Sequence, residues 1–260
     1  MKKRIAIFTD VHGNLEALES IIGDIKRQDV DDIICLGDTI GFGPNSKECL
    51  DLIISNNIKM VLGNHELCCL KGTDIDEKIG FDLKKHYEWV KNSLSEKEIF
   101  FLNKCPLYYE CNIDYDERKA SNKIIFSHYL LKDLNDAFPF EREHLKNDIN
   151  LWIKYDEENI YYLLGHLHKS FDINKVDGIS DCRIEETGNF PNIYIVDSCG
   201  CTDSDITSYT ILEIGKGFSY KKIKLNYNRD KFVDKVKSID FPNKEFISKE
   251  FFNIECDCCE

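Results

Sequence analysis

The alternation of apolar runs with helix-period segments over the first 66 residues constrains the fold most. Residues 3–8 (KRIAIF) and the run DIICLGD predict buried strands, and IKMVLGNHE predicts a third. Between them, NLEALESIIGDIKRQ has apolar residues at helical spacing, and NSKECLDLIISNN predicts a helix capped by Asn45 or Ser46. A βαβαβ order implies right-handed crossovers and a largely parallel sheet.

The rest of the chain predicts more helices followed by more strands. FDLKKHYEWVKNSL and SEKEIFFLNKC predict helices, the second with a capping box of Ser95 and Glu98. The segment CPLYYECNIDYDERKASN is interpreted as a polar turn, and residues 133–158 as a helical or loop insert. Strands are expected at KIIFSH, NIYYLLGH, NIYIVDS, TSYTILEI and FSYKKIKLNY. We expect one α/β domain over residues 1–225 and a weakly ordered, acidic, cysteine-containing extension over residues 226–260, with a weak helix at RDKFVDKVKSI.

Composition excludes several classes of partner. The net charge of −13 argues against binding long nucleic acid or an anionic membrane surface, because both carry the same sign. No apolar run approaches the length of a membrane span, and the run from Ile5 to Phe8 is too short for a signal peptide. The 12 cysteines are scattered and several lie in apolar runs, which suits reduced thiols. A cytoplasmic location is the default expectation.

Five of the seven histidines directly follow predicted strands, each beside residues that ligate metals. In open α/β sheets, ligands bind where the carboxyl ends of the strands meet, so these segments are expected to converge on one rim. Glycines before several of them permit sharp turns and close backbone approach. The candidate residues at this rim are Asp10, His12, Asp38, Asn64, His65, Glu66, His128, His166 and His168.

This residue chemistry points to metal ions. Carboxylate, amide and imidazole groups ligate Zn, Mn, Fe or similar divalent ions, and four ligands suffice for zinc. Spacing of two, as in Asp10-x-His12 and His166-x-His168, places both side chains on one face of an extended segment. Seven ligand candidates fit two ions, which in two-metal sites lie about 3.5–4 Å apart, with Asp38 as the natural bridge.

The ordered set DVHGN, GDTIGFGP, GNHE, SH and GHLH, running from residue 10 to 168, resembles the calcineurin-like metallophosphoesterase superfamily. The branch that starts with DxHGN and has GxGP after the second Asp is most similar: small bacterial and archaeal phosphoesterases. The resemblance implies an α/β fold in which two mixed sheets flanked by helices form an αββα sandwich.

The resemblance also implies roles for individual residues. One ion would be held by Asp10, His12, Asp38 and His168, and the other by Asp38, Asn64, His128 and His166. A hydroxide between the ions would attack phosphorus, His65 would donate a proton to the leaving oxygen, and Asn64 would also face the substrate. The ligand set tolerates Mn, Fe, Zn or Ni, and manganese is a natural first choice for assays.

Two positions depart from related chains. Phe42 stands where the protein serine/threonine phosphatase and diadenosine tetraphosphatase branches have a phosphate-gripping arginine, so a bidentate clamp is missing. Asp197 and Cys199, in IVDSCGCTDS, replace the Asn and Pro of the usual NPGS turn at the pocket edge. Other candidates for the pocket wall are Tyr129, Lys132 and Lys169, because each lies beside a motif.

Several residues keep two interpretations. Glu66 either positions a ligand or His65, which we favour, or caps a helix. Cys199 and Cys201 form a turn with incidental thiols or, less favoured, a redox or extra metal site. The terminal CDCC at residues 256–259 fits a soft-metal site less well than a disordered tail. His86 and His144 are taken as structural.

The sequence predicts a metal-dependent phosphoric ester hydrolase acting on a small phosphomonoester or phosphodiester. The alternatives are a catalytically silent metal-binding scaffold on the same fold and a phosphatase acting on nucleotides or nucleic-acid ends. The oligomeric state is open, and a homo-oligomer is one expectation.

Overall fold

The computed structural model describes residues 3–71, 83–113, 122–130, 160–168, 192–215 and 218–256. The strands are β1 (Lys3–Phe8), β2 (Asp32–Cys35), β3 (Lys59–Met60), β4 (Tyr108–Ile113), β5 (Asn122–Ser127), β6 (Ile160–Leu164), β7 (Asn192–Ile195), β8 (Ile206–Ile214) and β9 (Phe218–Asn226). The helices are α1 (Leu15–Ile25), α2 (Ser46–Ser55), α3 (Asn64–Lys71), α4 (Leu83–Ser93), α5 (Glu96–Leu102), α6 (Arg229–Ser238) and α7 (Lys244–Phe252).

The first sheet has the strand order β3-β2-β1-β8-β9. Strands β1, β2 and β3 are parallel, whereas β8 and β9 run antiparallel to their neighbours. The predicted βαβαβ opening is therefore confirmed. Local signals position its helices: Asn14 caps α1 through its side chain, Asn45 is the N-cap of α2, and the predicted Ser95–Glu98 capping box begins α5.

The second sheet has the order β4-β5-β6-β7, with β5, β6 and β7 parallel. Strand β4 corrects the sequence interpretation of this segment as a polar turn, because Tyr108–Ile113 pairs antiparallel with β5 over six residues. The strand lies at the edge of the sheet and its described side chains are half-buried or exposed. Tyr109, Cys111 and Ile113 alternate with Glu110 and Asn112, so a short strand pattern is present in the sequence.

The two sheets pack face to face, which confirms the two-sheet α/β sandwich. Side chains of β1 alternate between its two faces. Ile5 and Ile7 belong to the apolar layer between the sheets, together with Phe126 and Leu163 of the second sheet. Ala6 and Phe8 of the same strand face the cluster formed with α1, α2 and their neighbours. The predicted insert at residues 133–158 lies outside the described residues.

The C-terminal segment differs from the weakly ordered extension predicted for residues 226–260. Helices α6 and α7 bury Phe232, Val236, Ile247 and Phe252 in one apolar cluster with Ala17 and Phe42. Burial of several aromatic rings is strongly favourable and overrides the polar composition that suggested disorder. The placement of a domain boundary at residue 225 stays a prediction.

Ion pairs also connect the C-terminal segment to α1. The carboxylate of Glu16 on α1 is almost fully buried and forms ion pairs with Lys231 at 3.0 Å and Lys235 at 2.6 Å, both on α6. The pairs satisfy a buried charge that would otherwise be costly. Helix α6 is therefore held on α1 by apolar and ionic contacts together.

Candidate metal centre and active site

Six of the seven predicted ligand residues lie in the loops that directly follow β1, β2, β5 and β6, and the seventh, Asn64, is the first residue of α3, after β3. Five of them have left-handed backbones, with φ of 53° at Asp10, 46° at His12, 50° at Asp38, 68° at His166 and 61° at His168. Non-glycine residues occupy this region at a cost and concentrate at functional sites when they do. The loops therefore hold these side chains in strained, fixed directions.

Two glycines permit the loops to approach one another closely. A Cβ at Gly63 would lie 2.1 Å from Asp38 Oδ1, and a Cβ at Gly165 would lie 2.1 Å from Thr9 Oγ1. No other residue type fits at such distances. The expectation that glycines before the motif residues allow close backbone approach is met at both positions.

The first half of the cluster is formed by Asp10, His12 and His168. Nε2 of His12 and Nε2 of His168 are only 3.1 Å apart. Oδ1 of Asp10 lies 3.6 Å from the former nitrogen and 3.3 Å from the latter. Its Oδ2 accepts hydrogen bonds from Thr9 Oγ1 and the His166 backbone N–H. One carboxylate oxygen is thus fixed, and the other is directed at the imidazoles.

The second half is formed by Asp38, Asn64, His128 and His166. Oδ1 of Asn64 lies 3.1 Å from His128 Nε2 and 3.0 Å from His166 Nδ1. Oδ2 of Asp38 lies 3.0 Å from His128 Nε2 and also 3.8 Å from His12 Nε2 of the first half. Asp38 therefore stands between the two halves, where a bridging carboxylate belongs.

The donor set fits divalent cations. Oδ1 of Asp10 is buried and has no hydrogen-bond partner, although three imidazoles surround it. A buried carboxylate oxygen without a donor is costly unless a cation is present. His128 also contacts the Leu36 carbonyl through Nδ1 at 2.7 Å, and a proton on Nδ1 leaves the Nε2 lone pair for a metal.

The carboxylates and imidazoles of the cluster shift one another's pKa values. Burial acts to raise the pKa of Asp10, but His128, His12 and His168 outweigh it and hold that pKa well below its usual value. Burial lowers the pKa of His128, yet the charges of Asp38 and Asp10 raise it to about 9. Burial lowers the pKa of His166 to about 4. Asp10, Asp38 and His128 therefore stabilise one another's charged forms.

Glu66 holds the loop that carries Asp38. Its buried carboxylate accepts hydrogen bonds from four backbone N–H groups, those of Asp38, Thr39, Ile40 and Gly63. Burial and the charge of Asp38 raise the pKa of Glu66 to about 7. The geometry agrees with the interpretation that Glu66 positions a ligand.

His65 lies against an aromatic wall rather than in open solvent. Its ring centroid is 4.6 Å from His12, 4.4 Å from Phe42 and 5.3 Å from Tyr87. Its backbone N–H donates to Asp38 Oδ1, and its Nδ1 is buried without a hydrogen-bond partner. Burial holds the pKa of His65 well below its usual value. Phe42 therefore shapes the pocket by packing and offers no charge to a phosphate.

Of the remaining candidates for the pocket wall, Tyr129 lies in the described part of the chain. Tyr129 is buried, with its ring 5.4 Å from His128 and 5.7 Å from His166, so it backs the ligands. Lys132 and Lys169 lie outside the described residues. His86, taken as structural, is fully buried and its Nδ1 lies 3.3 Å from the Pro242 carbonyl.

Phe251 was not assigned to the centre from the sequence, and Cys201 was given an extra metal role only as the less favoured interpretation. Phe251 of α7 stacks on Phe42 at 3.7 Å and lies 6.2 Å from the His168 ring. Its apolar spacing with Ile247 was a usable signal. The thiol of Cys201 groups with His12 and His168, their ligand atoms all within 4.8 Å of one another. Beside them is a cavity of about 900 Å³ lined in part by His168, Cys201 and Phe251.

Comparisons with known proteins agree with this architecture. Residues 3–186 match the family of calcineurin-like phosphoesterases. The chain is 37% identical over 184 residues to uncharacterized protein MJ0912 of Methanocaldococcus jannaschii, covering 68% of this chain and 67% of that protein.

Two similar solved structures cover almost the whole chain. One is a metallophosphoesterase from Sphaerobacter thermophilus, with a TM-score of 0.66, 21% identity, and coverage of 96% of this chain and 98% of that one. The other is hypothetical protein PH1004 from Pyrococcus horikoshii OT3, with a TM-score of 0.67, 14% identity, and coverage of 97% and 99%. At these identities the likeness shows the shared fold.

The two mixed sheets and the histidine–carboxylate cluster at their strand ends define a class of α/β hydrolytic enzymes. The chain belongs to the calcineurin-like phosphoesterase family. It is accordingly a phosphoric ester hydrolase, and the predicted resemblance is confirmed. Within the described ranges, no helix combines the length and apolar character that crossing a bilayer requires.

Proposed function

We propose that the chain is a dinuclear metal-dependent phosphoesterase that hydrolyses a small phosphomonoester or phosphodiester at the strand-end cluster. One observation carries the proposal. The carboxylates of Asp10 and Asp38 lie between 3.0 and 3.9 Å from imidazole Nε2 atoms contributed by three separate loops. Such a convergence of ligand-type groups is the arrangement that two cations need.

The ligands divide between two ions that share Asp38. We assign one ion to Asp10, His12, Asp38 and His168, and the other to Asp38, Asn64, His128 and His166. When bound, divalent ions such as Mn, Fe, Zn or Ni would neutralise phosphate oxygens and supply a strong oxygen nucleophile at neutral pH.

Two side chains of the protein would act on the substrate directly. His65 would donate a proton toward the leaving oxygen, and the charge of a phosphate beside it would favour its protonated form. Packing against Phe42 and Tyr87 restricts the ring and fixes the direction of that donation. Because Asn64 Oδ1 faces the imidazoles, its amide N–H groups would be left to donate to a phosphate oxygen.

The cavity beside His168 would receive the rest of the substrate. Its volume of about 900 Å³ suits a small molecule, and Lys222, Lys224 and Lys249 contribute to its lining. Lys222 is already paired with Asp197, so Lys224 and Lys249 are the lysines that this lining would offer to an anionic substrate. The net charge of −13 still disfavours long nucleic acid.

A cytoplasmic location and the oligomeric state stay predictions. None of the nine cysteines in the described ranges forms a disulfide, which supports a reducing compartment.

The test is hydrolysis of p-nitrophenyl phosphate, its bis ester and a panel of nucleotides by the full chain loaded with Mn²⁺. We expect turnover that is lost on chelation and restored by metal. His65→Ala should lower kcat by about 10²–10⁴-fold while metal content stays unchanged, because only proton donation is removed.

His86→Gln is the matched control, since His86 is a second buried histidine beside the same aromatic wall. It should keep kcat within about twofold per folded molecule if its role is structural. Stoichiometric metal binding with no hydrolysis of any ester would instead support a catalytically silent scaffold. Salt-sensitive binding of oligonucleotides would favour the nucleic-acid end phosphatase.

A further inference from the structure

The turn that follows β7 brings a thiol to the metal centre. Ligand atoms of Cys201, His12 and His168 all lie within 4.8 Å of one another. Beside them is Asp10 Oδ1, which is buried and has no hydrogen-bond partner. The first half of the cluster therefore contains a sulfur donor that its assigned ligand set does not use.

The turn is built to hold that sulfur in place. Ser198 Oγ donates to the Asp10 carbonyl at 2.8 Å and accepts from the Cys201 N–H at 2.9 Å. The Gly200 N–H donates to the same Asp10 carbonyl at 3.0 Å, and the Ser198 N–H donates to the His168 carbonyl at 3.1 Å. The backbone around Cys201 is thus fixed to two of the residues that would hold the ion.

Close packing leaves this turn little freedom. A Cβ at Gly200 would lie 1.8 Å from the Val11 carbonyl oxygen, and Asn14 Nδ2 donates to the Gly200 carbonyl at 2.9 Å. Cys199, the other thiol of the C-x-C pair, points elsewhere: it is fully buried in the apolar cluster under the first sheet. The two cysteines are therefore not equivalent, and only one is directed at the centre.

We propose that the thiolate of Cys201 is an additional ligand of the ion held between His12 and His168. The inference rests on the proposed metal centre and adds a soft donor to one of its two positions. On binding, the S–H proton passes to solvent water and Sγ donates an electron pair to the metal. Thiolate donors favour zinc and similar softer ions over manganese or magnesium. The two positions would accordingly differ in metal preference.

Cobalt substitution tests the ligand directly, because a Co²⁺–thiolate bond adds a charge-transfer band in the near ultraviolet to the visible bands of the ion. The full chain is stripped with chelator and titrated with Co²⁺. We expect the charge-transfer band in the wild type and its loss in Cys201→Ser, which should retain the visible bands. Cys199→Ser, the matched control from the same turn, should retain both.

The terminal cysteines need a control of their own. A variant with Cys256, Cys258 and Cys259 all changed to Ser should keep the charge-transfer band, because the proposed sulfur ligand is Cys201 Sγ. Loss of the band in that variant, or its persistence in Cys201→Ser, overturns the inference. Visible cobalt bands without charge transfer in the wild type also overturn it but leave the proposed metal centre intact. Failure of the wild type to bind cobalt at all would reject both.

A second measurement does not depend on how Cys201→Ser folds. X-ray absorption of the zinc-loaded terminal-cysteine variant should show a sulfur scatterer at about 2.3 Å in addition to nitrogen and oxygen. A shell of nitrogen and oxygen alone contradicts the inference. Where Cys201→Ser is folded, we expect its Zn²⁺ affinity to fall by roughly 10–100-fold. Removal of a group that only supports a metal ligand already causes a loss of this size. The Mn²⁺ affinity should change less, because Mn²⁺ prefers oxygen ligands.

Discussion

The strand-end cluster and the C-terminal layer of α6 and α7 meet where Phe251 stacks on Phe42, yet they are built in opposite ways. The cluster concentrates carboxylates, imidazoles and left-handed backbone at the ends of five strands. The layer is held by ordinary helices whose aromatic side chains are buried together. Polar groups in the first region are arranged at a cost to stability, whereas burial in the second stabilises the fold. Substitutions in the two regions should therefore separate activity from stability.

The largest expected effect is on activity, from Asp38→Asn. The substitution keeps an oxygen that can accept from the His65 N–H but removes the charge of the bridging ligand. We expect kcat/KM to fall by more than about 100-fold, since removing groups that only support metal ligands already costs 10–100-fold. Elemental analysis of the folded variant should show reduced metal content. A variant with full activity would reject Asp38 as a shared ligand.

Phe252→Ala should show the reverse pattern. Phe252 is fully buried and packs edge-on against Phe232 at 4.9 Å. Loss of a buried aromatic ring is expected to lower the free energy of unfolding by about 3–5 kcal/mol, measured by urea denaturation. Activity per folded molecule should stay within about twofold of the wild type, because the Phe252 ring packs in the C-terminal cluster, against Phe232. Phe252→Leu is the milder control, and an equal loss of stability in both variants would contradict the packing argument.

His86, between the two regions, should give a smaller and pH-dependent effect. Burial lowers its pKa to about 4, against about 6.5 in the unfolded chain. As pH falls below about 6.5 the unfolded chain takes up the proton first, so stability is lost progressively down to about pH 4, by roughly 3 kcal/mol at most.

His86→Leu removes this titration at the cost of the contact with the Pro242 carbonyl. We expect the variant to be less stable than the wild type at pH 7 and to recover relative to it toward pH 4, in chemical denaturation measured at each pH. Parallel stability curves for the two proteins would show that His86 is not the group responsible.

The two regions also differ in how far the sequence predicts them. The ligand motifs could be predicted from the sequence because each places a rare residue type at the end of an apolar strand, as His128 follows β5. The C-terminal layer was not readable in this way. Helix α7 is short and half of its surface is charged, and only its packing against Phe42, remote in sequence, makes it stable. Helix formation there depends on tertiary contact more than on local propensity.

Within the centre, sequence order identified the residue types but not their surroundings. The four hydrogen bonds that Glu66 accepts depend on how the loops after β2 and β3 meet, which spacing alone does not specify. The different orientations of Cys199 and Cys201 follow from where Gly200 can approach Val11. Strand β4 was missed because the polar residues of the whole segment suggested a turn, although Tyr109, Cys111 and Ile113 alternate with polar residues.

The stacking of Phe251 on Phe42 has a consequence for biosynthesis. A ribosome translates all five motifs before it reaches residue 229, so the nascent polypeptide can gather its histidines while the aromatic cover over Phe42 is still missing. The wall is completed by Phe251, which is translated after all five motifs. The pocket wall can consequently be completed only after the segments that carry the candidate ligands have been synthesised.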